Sequence, residues 1–135
     1  MKIIDGKDAI LGRLAAFTAK EALKGEEIAI VNCEKIRITG NRKDIRESFE
    51  EKRRRVGSTQ RGPKVSRDPQ KIVKRVIRGM LPNYRVGRGA IALKRIKCYV
   101  GIPKEFEKEK KIVHGKRESI RKNKFMTVSE IGKGK

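Results

Sequence analysis

The chain has 135 residues, with 37 Lys or Arg against 16 Asp or Glu and a formal net charge of +21. That length fits one domain with a real core, and 36% apolar content supports one at the low end for a globular chain. No apolar run approaches the roughly 20 residues of a membrane span. The Met1–Asp5 start lacks the long apolar stretch of a signal peptide, so the cytosol is the expected compartment.

The first expected element is a β-prone run in Lys2–Asp5, followed by a turn at Gly6-Lys7-Asp8 with Asp8 as helix N-cap. Leu11, Leu14, Ala15, Thr18, Ala22 and Leu23 recur at helical spacing and predict a helix over 10–24, ended by Gly25. Gly12 reads as a close helix–strand contact. Residues 27–31 read as a buried strand and 36–39 as a short one. Strand, helix and strand within about 30 residues form a βαβ signature, so a parallel or mixed sheet is expected. Thr39-Gly40-Asn41 turns into a helix over 42–55 with a thin apolar stripe of Ile45, Phe49 and Val56. Glu50–Arg54 and Glu51–Arg55 stand there at favourable i,i+4 spacing.

Residues 56–68 lack periodicity and read as an extended loop, a length that is usually functional or disordered. Asp68-Pro69 is a strong start signal for a helix over 69–80. A short helix over 89–96 and a β-prone run over 97–100 follow. Residues 104–135 change character: Lys and Glu alternate, and the end is Gly132-Lys133-Gly134-Lys135. They read as a basic C-terminal extension to a 1–103 domain, ordered only against a partner.

Charge is uneven along this plan. Residues 1–40 carry seven basic and six acidic groups, 41–103 carry nineteen and five, and 104–135 carry eleven and five. A near-neutral platform bearing a strongly cationic middle points to a polyanion partner, and nucleic acid is the commonest one. On the 69–80 helix, Lys71, Lys74, Arg75 and Arg78 fall within a wedge of about 100°. Ile72, Val73, Val76, Ile77 and Met80 oppose them. A solvated outer face normally mixes signs, and this one has only cations. Further basic groups are Arg53-Arg54-Arg55, the loop's Arg61, Lys64 and Arg67 around Gly62-Pro63, Arg85 and Arg88 beside Gly87 and Gly89, and Arg95. Glycine admits close approach, and arginine gives forked phosphate contact.

Catalysis finds little footing in these residues. His114 is the only histidine, and no His/Cys/Asp set has metal-ligand spacing. Gly6–Arg13 joins a strand to a helix but lacks the Gly-Lys-Ser/Thr ending of a phosphate loop. Cys33 and Cys98 each sit in an apolar run and read as small buried hydrophobes. No cofactor and no metal are expected. Aromatics are few, with only Tyr84 and Phe125 placed to stack on bases, so phosphate and shape recognition is the expected mode. An RNA-processing or RNA-modifying enzyme with a βαβ core is the alternative, and a DNA-compacting protein a third reading.

Several motifs together carry a resemblance. They are Ile4-Asp5-Gly6, Leu11-Gly12-Arg13-Leu14-Ala15, Val31-Asn32-Cys33-Glu34-Lys35, Thr39-Gly40-Asn41-Arg42, Arg61-Gly62-Pro63, Arg78-Gly79-Met80-Leu81-Pro82 and the run Leu93–Pro103. Across roughly 3–103 the chain resembles the universal large-subunit ribosomal protein thirteen family, in its archaeal branch. The resemblance implies a three-layer α/β/α domain with a small, mostly parallel four-stranded sheet. It implies large-subunit ribosomal RNA and neighbouring ribosomal proteins as partners, a role in subunit assembly, a place on the cytoplasmic ribosome and no enzymatic activity. The implied RNA-contacting positions are Thr39, Gly40, Asn41, Arg42, Arg61, Gly62, Pro63, Arg78, Gly79, Gly87 and Arg88. Most of these lie in the segments that charge alone selects.

Overall fold

The computed structural model describes residues 1–57, 62–116 and 124–133. The apolar spacing of the N-terminal third closes a βαβ unit. Strand β1 (Lys2–Asp5) leads through helix α1 (Leu11–Leu23) to strand β2 (Ile28–Val31). β1 and β2 pair in parallel, Ile4 opposite Ile30. α1 buries Leu11, Leu14, Ala15, Thr18, Ala19 and Ala22 along one stripe. Its entry differs from expectation. Ile10 takes the N-cap position without a side-chain cap, while Asp8 adopts φ +60° and receives Arg37 Nη2 at 2.7 Å. Gly12 faces open space, so it is not a packing glycine. The close approach belongs to Gly6, where a Cβ would collide with the Val31 carbonyl oxygen and the Ile36 side chain.

A short turn of 3₁₀ helix (Cys33–Lys35) leads to β3 (Arg37–Thr39) and α2 (Arg42–Arg54). Helix α3 (Pro69–Met80), α4 (Gly87–Arg95) and β4 (Ile96–Cys98) follow. β4 joins β2 in parallel, Ile28 opposite Ile96. α4 begins two residues before the expected start, with Gly87 at φ +65°. Gly89 is buried, and a Cβ there would strike the Pro82 and Asn83 carbonyl oxygens. That glycine serves internal packing rather than ligand approach.

The largest departure lies beyond residue 103. β5 (Lys111–Val113) adds to the free edge of β1 in parallel, Ile4 opposite Ile112. β6 (Phe125–Thr127) pairs antiparallel with β3, and α5 (Val128–Lys133) packs behind it. Phe106, Met126, Val128 and Ile131 are buried. The expectation of a tail ordered only against a partner is therefore corrected. These strands are three residues long and flanked by Lys and Glu, so their apolar pairs carry no period across the surrounding charge.

The main sheet runs β4-β2-β1-β5 with every pairing parallel. Its inner face (Ile4, Ile28, Ile30) packs under α1, α3 and α4 through Leu14, Ile72, Val73, Ile77 and Ala92. Its other face (Ile3, Ala29, Val31) is covered by Phe106 and Tyr99. This gives three layers with β2 buried on both sides, which is why β2 reads as an unbroken apolar run. α2 contains no buried residue. It is held by Phe49 against the core edge and by Ile45 beneath Gly40.

Candidate nucleic-acid interface

Helix α3 organises the cationic residues. Ile72, Val73 and Ile77 anchor it and fix the opposite face outward. Met80 is an exception to the expected apolar side, at 44% exposure. The four predicted cations separate by role. Lys71 pairs with Asp68 at 2.8 Å, and that ammonium holds the Asp68 carboxyl below its ordinary pKa. Lys74 is half-buried and its Nζ donates to the Ile96 carbonyl oxygen at 3.0 Å, tying the helix to β4. Arg75 is exposed. Arg78 lays its guanidinium over the Tyr84 ring, 4.7 Å from the centroid.

The turn after α3 brings more charge to the same ring. Arg85 stands 5.6 Å from the Tyr84 centroid. The Tyr84 hydroxyl is held below its ordinary pKa, first by Arg85, then by Arg78 and Arg75. Two arginines, one from α3 and one from the turn after it, thus frame one aromatic side chain. Arg88 is exposed one turn of chain further on. None of Arg75, Arg78, Arg85 and Arg88 has a carboxylate partner among the described residues. Gly79, next to Arg78, has nothing within 4 Å of where a Cβ would stand, and the same holds for Gly87.

A second group lies at the other end of α3. A groove of about 890 Å³ opens between α2 and Arg67, lined by Arg42, Lys43, Arg46, Arg54 and three glutamates. Glu50 meets Arg67 at 3.5 Å rather than the expected Arg54, and Arg55 pairs with Glu51 at 3.3 Å as expected. Arg46 Nε and Arg53 Nη1 are enclosed without a partner among the described residues. Ten residues separate Asp68 from Arg78, about 15 Å along the α3 axis. Charge of mixed sign marks the α2 groove, whereas the Tyr84 group is purely cationic.

Other predicted positions do internal work. Asn41 caps α2, its Oδ1 accepting from the Lys43 N–H at 3.2 Å, and Gly40 takes φ +136°. Arg42 donates to the Phe125 carbonyl at 3.4 Å and to Glu130 at 3.1 Å, joining α2 to the β6–α5 segment. The Thr127 backbone N–H, then Arg42, holds Glu130 below its ordinary pKa. Arg95 reaches the Ala22 carbonyl at the end of α1 at 3.5 Å, where a cation suits the helix dipole. Gly62 abuts the backbone of Arg55 and Val56, while Pro63, Lys64 and Thr39 are exposed. Arg61 lies outside the described residues. Cys33 is buried and Cys98 half-buried, both as free thiols, and the Cys98 neighbour together with burial pushes the Cys33 thiol up. Among the described residues no three His, Cys, Asp or Glu side chains are grouped to hold a metal, and no helix is long and apolar enough to cross a membrane.

Sequence reasoning missed Arg46 and the role of Tyr84 as the hub of the arginines. The signal for Tyr84 was its place between Arg78 and Arg85, which a turn folds together.

A parallel sheet under helices, one of which presents arginines without a carboxylate partner among the described residues, defines a basic α/β protein with a cationic side. The family profile described as ribosomal protein L13 matches residues 1–105. The large ribosomal subunit protein uL13 of Methanocaldococcus jannaschii is 44% identical over 136 residues, covering 98% of this chain and 96% of that protein. Those of Methanosarcina barkeri (49% identical over 108 residues, covering 79% and 76%) and Archaeoglobus fulgidus (39% over 134 residues, covering 97% and 85%) are also similar. The chain belongs to the ribosomal protein L13 family.

Proposed function

We propose that this chain is a structural constituent of the large ribosomal subunit that binds ribosomal RNA and helps fold it during assembly. It acts at the cytoplasmic ribosome without catalysing a reaction. The observation that carries the reading is the group Arg75, Arg78, Arg85 and Arg88, presented on a buried scaffold without carboxylate partners among the described residues. Such charge is costly to hold together in a free protein and is relieved by phosphates. The predicted contact residues supported by this geometry are Arg75, Arg78, Gly79, Arg85, Gly87 and Arg88, with Arg53, Arg54, Lys64, Arg67 and Lys71 as a second rim at the α2 end.

The names of the relatives place them in the large subunit, and this chain follows them by family. Neighbouring ribosomal proteins are expected around the remaining surface. The family assignment gives the enzyme alternative no support. Co-sedimentation tests the proposal. The tagged chain should travel with large subunits through a high-salt gradient, and folded ribosomal RNA should outcompete random duplex DNA. A chain that stays at the top of the gradient, or prefers duplex DNA, would refute it.

A further inference from the structure

We propose that Tyr84, framed by Arg78 and Arg85, is a stacking site for one unpaired base of the RNA. The inference rests on the RNA-binding reading above and adds a base contact to recognition otherwise made through phosphate and shape.

The chain has four Phe, two Tyr and no Trp. Five of those six rings are engaged within the fold. Phe17 stacks on His114 with centroids 4.1 Å apart, Tyr99 and Phe106 pair at 5.6 Å, and Phe49 packs on the core. Phe125 lies under Arg37, whose guanidinium is itself fixed by Asp8. Tyr84 instead meets two guanidinium groups, neither of which has a carboxylate partner among the described residues. Arg78 sits close over the ring at 4.7 Å, and Arg85 is looser at 5.6 Å. The ring is half-buried, so it is oriented but not sealed.

That arrangement suits an unpaired nucleotide. Unstacked bases in folded RNA settle on aromatic rings and guanidinium planes, tolerant of base identity because every base has a π face. Arg78 keeps the ring in place, Arg85 swings from its outer position toward a phosphate, and Gly79 and Gly87 leave the adjoining backbone open. A double-helical segment has no free base to offer, so the site selects a loop, bulge or junction.

The test uses the full chain and a transcript of archaeal large-subunit ribosomal RNA. Ultraviolet cross-linking of the unmodified complex should join a base to Tyr84, located by mass spectrometry. Tyr84→Leu should weaken binding about 10-fold or more with the salt slope unchanged, and Tyr84→Phe should bind like the parent. Equal affinity of Tyr84→Leu, or absence of the Tyr84 cross-link from a complex that forms normally, would overturn the stacking site while leaving the RNA-binding reading intact. A flattened slope in Tyr84→Leu matching that of Arg78→Ala would overturn it too, since the ring would then only prop an arginine. Failure of the unmodified chain to bind the transcript would overturn both.

Discussion

Glu21 shows how a single buried charge shapes the response to acid. It is nearly enclosed on α1, and Lys2 and Lys24 hold its carboxyl down to about 2. A carboxylate whose folded pKa lies below its unfolded value of roughly 4.3 stabilises the fold above that unfolded value. The contribution is lost as pH falls toward the folded pKa. Melting followed from pH 5 to pH 2 should therefore show a steep loss in the parent chain and a shallower one in Glu21→Gln. Identical slopes would show that the ion pair does not titrate with folding. Gly79 poses the opposite trade. A glycine inside an exposed helix costs about 1 kcal/mol relative to alanine, and no packing accounts for it. Gly79→Ala is expected to raise the melting temperature while weakening RNA binding. A variant that is more stable and binds as tightly would remove the case for backbone approach at that residue.

At the scale of elements, α3 is the part whose sequence shows most and whose surroundings show least. Its start at Asp68-Pro69 and its apolar stripe are local signals, and both match the structure except at Met80. The sorting of its cations was not legible, because Lys74 finds its carbonyl on β4, 22 residues away, and Arg78 finds Tyr84 only after the turn has formed. Replacing all four cations together would therefore confuse binding with folding. Lys74→Ala should destabilise the protein by about 1–3 kcal/mol, having left a partly buried carbonyl unpaired. Arg75→Ala should leave stability unchanged and weaken RNA binding. Ile77→Ala should cost about 2–5 kcal/mol through the cavity it leaves. Urea unfolding of the three variants checks this order, and equal losses would mean the faces of α3 are wrongly assigned. α2 was legible as a helix from Asn41 onward, yet not its attachment, since Arg42 reaches Glu130 across 88 residues of sequence.

For the whole molecule, the N-terminal βαβ unit was readable because its apolar periodicity is long and its charges, Glu21 apart, stay off the buried stripe of α1 and out of β2. The contribution of the last thirty residues was hidden because parallel pairing of Lys111–Val113 with β1 is a non-local event. Its three residues cannot announce themselves among lysines. Truncation after residue 103 should therefore damage the scaffold itself, exposing the β1 edge and the core that Met126, Val128 and Ile131 close. A truncated chain that melts at the temperature of the full one would contradict this.

What the RNA is proposed to cover is an arginine group with no acidic partner among the described residues. The most direct measurement is the salt dependence of binding to the large-subunit transcript, for the parent chain and for the combined Arg75, Arg78, Arg85 and Arg88 to Ala variant. With about four phosphate contacts removed, the slope of log affinity against log salt should become shallower by about 3, at an unchanged melting temperature. A folded variant that keeps the parent slope would contradict the account.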